Sequence, residues 1–532
     1  MVDRARSKDP CQNGSDRSAW NRSYVAMEIR EHRKQISDGG SLRTAGVIIC
    51  LLAAACVLGF AVVLAGSSSS TQTLAVGGVF IALFGAAIAF LLEIPMIWIV
   101  RYGYIASFFF KSDISLFKID EIEDPSGFNL SLTLILGLIL LVHDWFTDKE
   151  KPRVLPAAFS MLLAGLVVCS VVSVIYAGAT PLGGVSVWSL LTSILIVYVT
   201  ASHFGRRDRI VQLVVGLAIG VLFTGSVALA QYSVGWPLNL PTLGTGTEGE
   251  QFGTQSIELS RVPGFMRTPT GMGWVISCMI PIILAPLVCR VKAFNLSQRF
   301  ILLTAVLAGV VGIILSLARG SWIGLVAAVT LLALFGWFRL SERERSSYLV
   351  TVGGAFILSC VLLTPFAGRI YNRLTEDDNG AASVRIPLME NALNMMADNP
   401  LTGVGLNGYR THMTRYDETG NLVSQEFPNP VHNVFAHVAV EVGIPGGIMF
   451  CALFLFAFAE CFKTMTMQDR LMFALGLGAA AALVAFIISG VKEPGSLGSV
   501  RTPMRTLFLL LGMVMALGII RRRVTPERFE EI

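Results

Sequence analysis

Apolar stretches long enough to cross a bilayer as helices recur along the chain. They fall at about residues 44–66, 74–100, 154–177, 185–204, 210–230, 271–289, 300–318, 322–340, 348–366, 446–463, 471–490 and 504–520. At a rise of about 1.5 Å per residue, roughly 20 such residues match a hydrocarbon core about 30 Å thick. The pattern therefore predicts twelve spans. A further run, Leu130 to Val142, is apolar apart from Ser131 and Thr133 but short, and reads as a re-entrant or interfacial piece. The longest polar interruption late in the chain covers residues 367–431.

Charge then sets the expected orientation, because short basic loops stay on the cytoplasmic side. Arg4, Arg6, Lys8, Arg17, Arg22, Arg30, Arg33, Lys34 and Arg43 precede the first span, and Arg521, Arg522 and Arg523 follow the last. Both termini are expected in the cytoplasm. Arg206, Arg207 and Arg209, then Arg290, Lys292 and Arg299, then Arg339, Arg343 and Arg345, then Lys463 and Arg470 mark the inner connections. Residues 232–267, 367–431 and 491–503 then lie outside. A fourteen-span version, with residues 74–110 folded into two crossings broken at Glu93 and Pro95, satisfies the same parity. The first apolar run starts after some forty polar residues and is long enough to stay as an anchor, so no cleaved signal peptide is expected. Trp20, Tyr24 and Met27 share one helical face amid basic residues, as in a short helix on the inner leaflet or in a polar tail.

Composition agrees with this reading and narrows the chemistry. The 532 residues are 54% hydrophobic and 14% charged, which excludes an ordinary soluble protein. Of nine cysteines nearly all lie inside apolar spans, so neither a disulfide frame nor a metal site is indicated. The expected class is an all-α, polytopic transmembrane helical bundle with a folded helical loop outside. Its parts are a basic segment at 1–43, a bundle at 44–366, the large loop at 367–431, a motif-bearing helix with the last spans at 432–520, and a tail at 521–532. Membrane lipids are its surroundings, and no nucleic-acid partner is expected.

The loop at 367–431 alternates aromatic, apolar and turn residues, which argues for a small folded cap. Ile386, Met389, Leu393 and Met396 fall at helical spacing, and the Asp398 to Tyr409 run, rich in glycine, reads as a tight turn. Its cations are Arg369, Arg373, Arg385, Arg410 and Arg415, with no lysine. Arginine presents a fork of donors that grips phosphate in two places. The competing explanation is pairing with the loop's own Glu376, Asp377, Asp378 and Glu390. Arg319 ends the span at 300–318 at the expected outer face, where a cation costs up to a few kcal/mol unless it snorkels or meets an anion. Only Gly320 and Ser321 separate it from the next span, so it has little room to reach water except toward a cavity inside the bundle. Further on, a helix from His432 to Val442 is expected to break at Gly443 and Pro445. His437 and Glu441 share a face of it, whereas His432 lies about 140° from His437, which argues against a two-histidine metal site.

These features together resemble the O-antigen ligase and polymerase superfamily of bacterial envelope proteins. His432, Asn433, Gly443 and Gly446 meet its H-[NSQ]-x9-G-x-x-G pattern in full. Arg385 followed by Asn399, Pro400, Gly403, Val404 and Gly405 is similar to the family's arginine, helix and glycine turn. Ser316, Arg319 and Gly320 match its S-x-x-R-G span end. Arg261 to Pro269 is similar to R-x-x-G-x-f-x-x-P-N, with Thr270 where Asn is usual, and Ile323 stands where Leu is common. The resemblance covers roughly residues 154–520.

The resemblance implies a C-type, metal-independent membrane glycosyltransferase without cofactors, in the bacterial inner membrane with its site on the periplasmic side. Its donor would be a polyprenyl-diphosphate-linked glycan, and its acceptor a glycan, a lipid core or a protein. Arg319, Arg385 and Arg261 are the expected diphosphate-binding residues. His432 is the expected base, with Glu441 as a second catalytic candidate, and Asn433, Gly443 and Gly446 shape the motif. Direct displacement would invert the anomeric centre. A lipid-linked glycan flippase or other secondary transporter is the alternative, but such a protein should show repeated halves and ionisable groups at the midplane. Only Glu93 fits the latter, and no internal repeat is visible.

Overall fold

A computed structural model of the chain describes residues 95–109, 113–119, 126–147, 155–178, 181–234, 261–266, 268–339, 364–375, 384–420, 422–498 and 502–524, with single positions between 342 and 361. Among these residues nine helices are long and apolar enough to cross a membrane. The expected spans at 44–66 and 348–366, most of 74–100, the Trp20 face and Glu93 fall almost wholly outside them.

A short helix, α1 (Met96–Ala106), opens directly after Pro95. It leads into an antiparallel hairpin of β1 (Asp113–Ile119) and β2 (Ser126–Ser131), and then α2 (Leu132–Thr147). The spans are α3 (Ala157–Tyr176), α4 (Pro181–His203), α5 (Arg207–Val234), α6 (Pro269–Val288), α7 (Leu296–Ser316) and α8 (Arg319–Arg339). The late loop carries α9 (Ala367–Thr375), α10 (Arg385–Asp398), α11 (Tyr409–His412) and α12 (Val423–Glu426). Three spans follow, α13 (Val434–Met465), α14 (Arg470–Gly490) and α15 (Thr502–Val524). The architecture is thus the helical bundle expected, with one hairpin that the apolar pattern did not reveal.

Helices α6, α14 and α15 are almost wholly buried, whereas most residues of α3, α7 and α8 are only partly buried or exposed. Small residues permit the close packing, as membrane helices require: a side chain at Gly225 of α5 would collide with the carbonyl of Ala308 on α7. Most of the apolar run at 130–142 lies in α2, about 24 Å long by helical rise and short of a full crossing, the run's first two residues ending β2. It returns beside α1, with Ser107 Oγ 2.8 Å from Thr133 Oγ1 at one end. At the other end Asp144 accepts from Arg209 at 2.9 Å and from His203 Nδ1 at 2.8 Å, and Arg101 donates to His203 Nε2 at 2.8 Å. This buried cluster ties α1, α2, α4 and α5 together, and the helix, hairpin and helix form a unit that sets out from and returns to one end of the bundle.

The break expected near Gly443 is present and decides how the loop sits. Gly443 has φ 76° and ψ 166° within α13, and Pro445 follows without an N–H. In an unbroken helix the carbonyls of Val440 and Glu441 would accept from residues 444 and 445. Here the Ile444 N–H donates instead to the Pro400 carbonyl at 2.8 Å. Val404 N–H donates to Val440 O at 3.0 Å and Gly405 N–H to Glu441 O at 3.1 Å. Ser173 of α3 donates its hydroxyl to the same Glu441 carbonyl and accepts from Gly405 N–H at 3.0 Å. The turn at 400–405 is therefore a patch on a broken membrane helix. Gly403 (φ 69°) fits because a side chain there would strike the Glu441 carbonyl, and one on Gly443 would strike that of Leu401.

The loop folds as the cap its sequence suggested. Leu388, Ala392 and Met395 of α10 pack with Val404, Tyr409, Met413, Val423, Val431 and Val440. Only half of the Ile386, Met389, Leu393 and Met396 stripe turns inward: Met389 and Met396 are partly buried against this core, Ile386 and Leu393 are exposed, and Asn391 is buried, donating to Met413 O at 3.1 Å. Local spacing marks a helix, but which of two apolar arcs faces inward is decided by the partner surface.

Gly403→Ala and Gly443→Ala should each lower thermal stability in detergent by the equivalent of about 1–3 kcal/mol and expose the loop to protease, since each forces a side chain into a left-handed backbone against a carbonyl. Gly420→Ala, which meets nothing within 4 Å, should leave both readouts unchanged.

Candidate functional site

Asn433, not His432, caps α13: its side-chain oxygen accepts from the N–H groups of Phe435 at 3.0 Å and Ala436 at 3.2 Å. His432 thus stands just outside the helix, at the seam between cap and bundle, with its Nδ1 buried and lacking a hydrogen-bond partner. Orphaned buried polar atoms are rare enough to call for an explanation. Burial and the nearby Arg385 charge push the imidazole down to about 4, with His437 adding to the effect and the Pro430 carbonyl opposing it. The ring is therefore neutral at physiological pH. Arg385 itself opens α10 and is exposed.

Below it His437 and Glu441 form a pair one helical turn apart. Gly495 N–H donates to His437 Nδ1 at 3.2 Å, so the ring proton sits on Nε2, which donates to Glu441 Oε1 at 3.1 Å. Ser496 Oγ donates to Glu441 Oε2 at 2.5 Å. Glu441 is only 1% exposed, and both its oxygens are engaged. The edge of Tyr409 packs on the His437 ring at 5.1 Å between centroids. As arranged, His437 and Glu441 fasten the segment 491–498 to α13 and to the cap.

A second group of cations surrounds the turn between α7 and α8. Leu317 closes α7 in a left-handed conformation, φ 52°, and Arg319 begins α8. Arg261 donates Nε to the Ser316 carbonyl at 3.0 Å, and Arg373 of α9 donates Nε to that of Leu317 at 3.3 Å. Arg319 donates Nε and Nη2 to the carbonyl of Arg373 at 2.9 and 2.5 Å. It reaches the loop helix α9, where the sequence reading pointed it toward a cavity within the bundle. Three guanidinium groups thus meet at one turn, each engaged there with backbone carbonyls. Of the other loop arginines, Arg369 stacks over Tyr232 at 4.5 Å, Arg410 donates to Asn429 at 3.3 Å and Arg415 lies over Tyr416 at 5.7 Å. Glu376, Asp377 and Asp378 are outside the described residues.

The structure therefore gathers Arg261 and Arg319 at one turn and Arg385 and His432 at another. Segment 491–498 joins them: the stem of Lys492 passes over Gly320, while Gly495 and Ser496 hold His437 and Glu441. Gly490 and Gly495 also pack on Val434, two residues from His432. Lys492 and Ser173 were not singled out by the sequence, and Arg373 only as one of five loop arginines, because what places them is contact between segments far apart in sequence. Gly443 breaks α13 as expected, and Gly446 packs against Val442 and Cys169.

A neutral His432 shifted down by Arg385 makes a measurable expectation. In a ¹³C NMR titration of the histidine-labelled chain in lipid nanodiscs, the His432 signal should stay that of a neutral ring down to pH 5. Arg385→Gln should move its midpoint upward, since a positive neighbour that opposes imidazolium is gone.

Comparison with known families finds that residues 303–451 match the O-antigen ligase family model (Wzy_C). The match takes in Arg319, Arg385, His432, Glu441, Gly443 and Gly446, and leaves Arg261 and Lys492 outside it. No curated protein matches the chain.

Proposed function

We propose that this chain, whose residues 303–451 match the O-antigen ligase family model, is a member of the O-antigen ligase and polymerase superfamily that moves a glycan from a polyprenyl diphosphate to an acceptor hydroxyl at the outer face of the bacterial inner membrane. The observation that carries this reading is the neutral His432 with its orphaned Nδ1, set beside Arg385 at the seam of cap and bundle. In the proposed reaction the acceptor oxygen forms a bond to the anomeric carbon as the bond from that carbon to the diphosphate oxygen breaks. The acceptor proton passes to His432, and the polyprenyl diphosphate leaves with the bonding electron pair. One displacement inverts the anomeric centre.

Charge grows on the departing diphosphate, and preorganised cations there are worth several kcal/mol of barrier. In this reading Arg319 and Arg261 at one turn and Arg385 at the other hold the two phosphates of the donor. Burial is the larger cause of the lowered His432 value, and the same assignment bears on the second cause, the Arg385 charge. When a diphosphate pairs with Arg385, the charge opposing imidazolium is offset, so His432 becomes a better base only with donor in place. Glu441, with both oxygens engaged, serves in this reading to hold segment 491–498 and not to take a proton. The chemistry as proposed needs no metal. The acceptor, whether glycan, lipid core or protein, decides between polymerase and ligase.

His432→Ala should cut transfer from a lipid-linked oligosaccharide by about 10²–10⁴-fold with the protein still in the membrane, the range typical of a lost general base. Full activity in that variant would remove His432 from the role. Arg385→Lys should fail nearly as badly as Arg385→Ala, because a lysine offers a point charge and not a fork. If Lys restores activity, the contact is one of charge alone. Transfer by the wild-type chain should persist in EDTA, and a loss reversed by Mg²⁺ would overturn the metal-free reading.

A further inference from the structure

The cap packs on Met389 and Met396 but leaves uncovered the outer edge of the apolar arc of α10, at Ile386, Leu393 and Ala397, which the reaction does not explain. Around the helix, Ile386, Met389, Leu393, Met396 and Ala397 occupy an arc of roughly 100°. The cap-facing residues Leu388, Asn391, Ala392 and Met395 adjoin one side of it, and the polar Glu390 and Asn394 the other. Ile386 is 75% exposed and Leu393 54%. A helix with one buried face needs no second apolar face in water.

What covers this arc is indicated by where α10 leads. The chain leaves α10 at Asn399 and reaches Leu401, which is 72% exposed. Its neighbour Pro400 accepts from the Ile444 N–H at 2.8 Å, so Leu401 stands beside the kink of α13. From that kink Ile444, Ile448 and Leu455 continue down α13, all exposed on a helix that crosses the membrane, with Ile448 at 63%. The exposed apolar side chains of α10 and Leu401 thus continue a surface whose solvent is lipid. We propose that α10 lies on the adjoining membrane leaflet, with Ile386, Leu393 and Leu401 in the boundary between headgroups and acyl chains. Arg385, in the first turn at the edge of the arc, then sits at the depth of lipid phosphates, as long cationic side chains do at an interface. The cap is a membrane-resting element, and the depth of its arginine is set by the leaflet.

The test is collision accessibility of a nitroxide carried on a genetically encoded residue, which leaves the nine cysteines in place. It is placed at 386, 393 or 394 in the full chain in vesicles of phosphatidylethanolamine and phosphatidylglycerol. These positions are exposed or partly exposed, so the label does not disturb the core. Oxygen, which concentrates in lipid, should outcompete a nickel chelate at 386 and 393, and the ratio should reverse at 394. Equal nickel access at 393 and 394 would place the arc in water and overturn the proposal. Low access to both reagents at 386 and 393 would mean that protein, such as a second copy of the chain, covers the arc, and would overturn it equally.

Discussion

A membrane helix that breaks must find partners for the carbonyls it releases, because the hydrocarbon offers none. In this chain the break is written into α13 by Gly443, whose backbone leaves the helical region, and by Pro445, which has no N–H to give. The turn at 400–405 and the hydroxyl of Ser173 supply what is missing. The exchange runs both ways, since Ile444 gives its N–H to Pro400. A long polar loop that would otherwise be free is thereby fixed in register to one point of the bundle, and α10 with Arg385 is fixed with it.

From that clasp the arrangement of charge follows. Val440 is shared between the membrane helix and the cap core, so cap and bundle pack as one body around His432. The pair His437 and Glu441 spends its polar atoms on segment 491–498, and that segment reaches Gly320 through Lys492. The proposed site is therefore divided between a positive turn at the end of α7 and a positive residue on the cap. Neither half belongs to a single stretch of sequence. A lone loop would not hold two arginine groups and a neutral imidazole in a fixed relation, and a bundle without the cap would lack Arg385.

Much of this was legible in the sequence because the constraints are local. Hydropathy marks spans wherever a helix must be apolar over its whole length, and it placed α3 to α8 and α13 to α15. The Gly443 and Pro445 break follows from backbone chemistry alone. The hairpin β1 and β2 did not show itself, for short strands carry little periodicity. The inward face of α10 was also beyond local reading, because Leu388 and Met395 are chosen over Ile386 and Leu393 by surfaces distant in the chain. For the same reason Arg319, expected at the outer face with room only toward a cavity inside the bundle, reaches instead the carbonyl of Arg373 on α9.

The central proposal is that one diphosphate is shared by the two positive groups, with His432 facing the sugar. Its most direct test is a cryo-electron microscopy structure of the full chain in lipid nanodiscs with an undecaprenyl-diphosphate-linked oligosaccharide bound. Density for the diphosphate between the Arg261 and Arg319 turn and Arg385, with the first sugar within reach of His432, is the expected result. A diphosphate seated elsewhere, such as at the buried Arg101 and Arg209 end, or a sugar remote from His432, would contradict it.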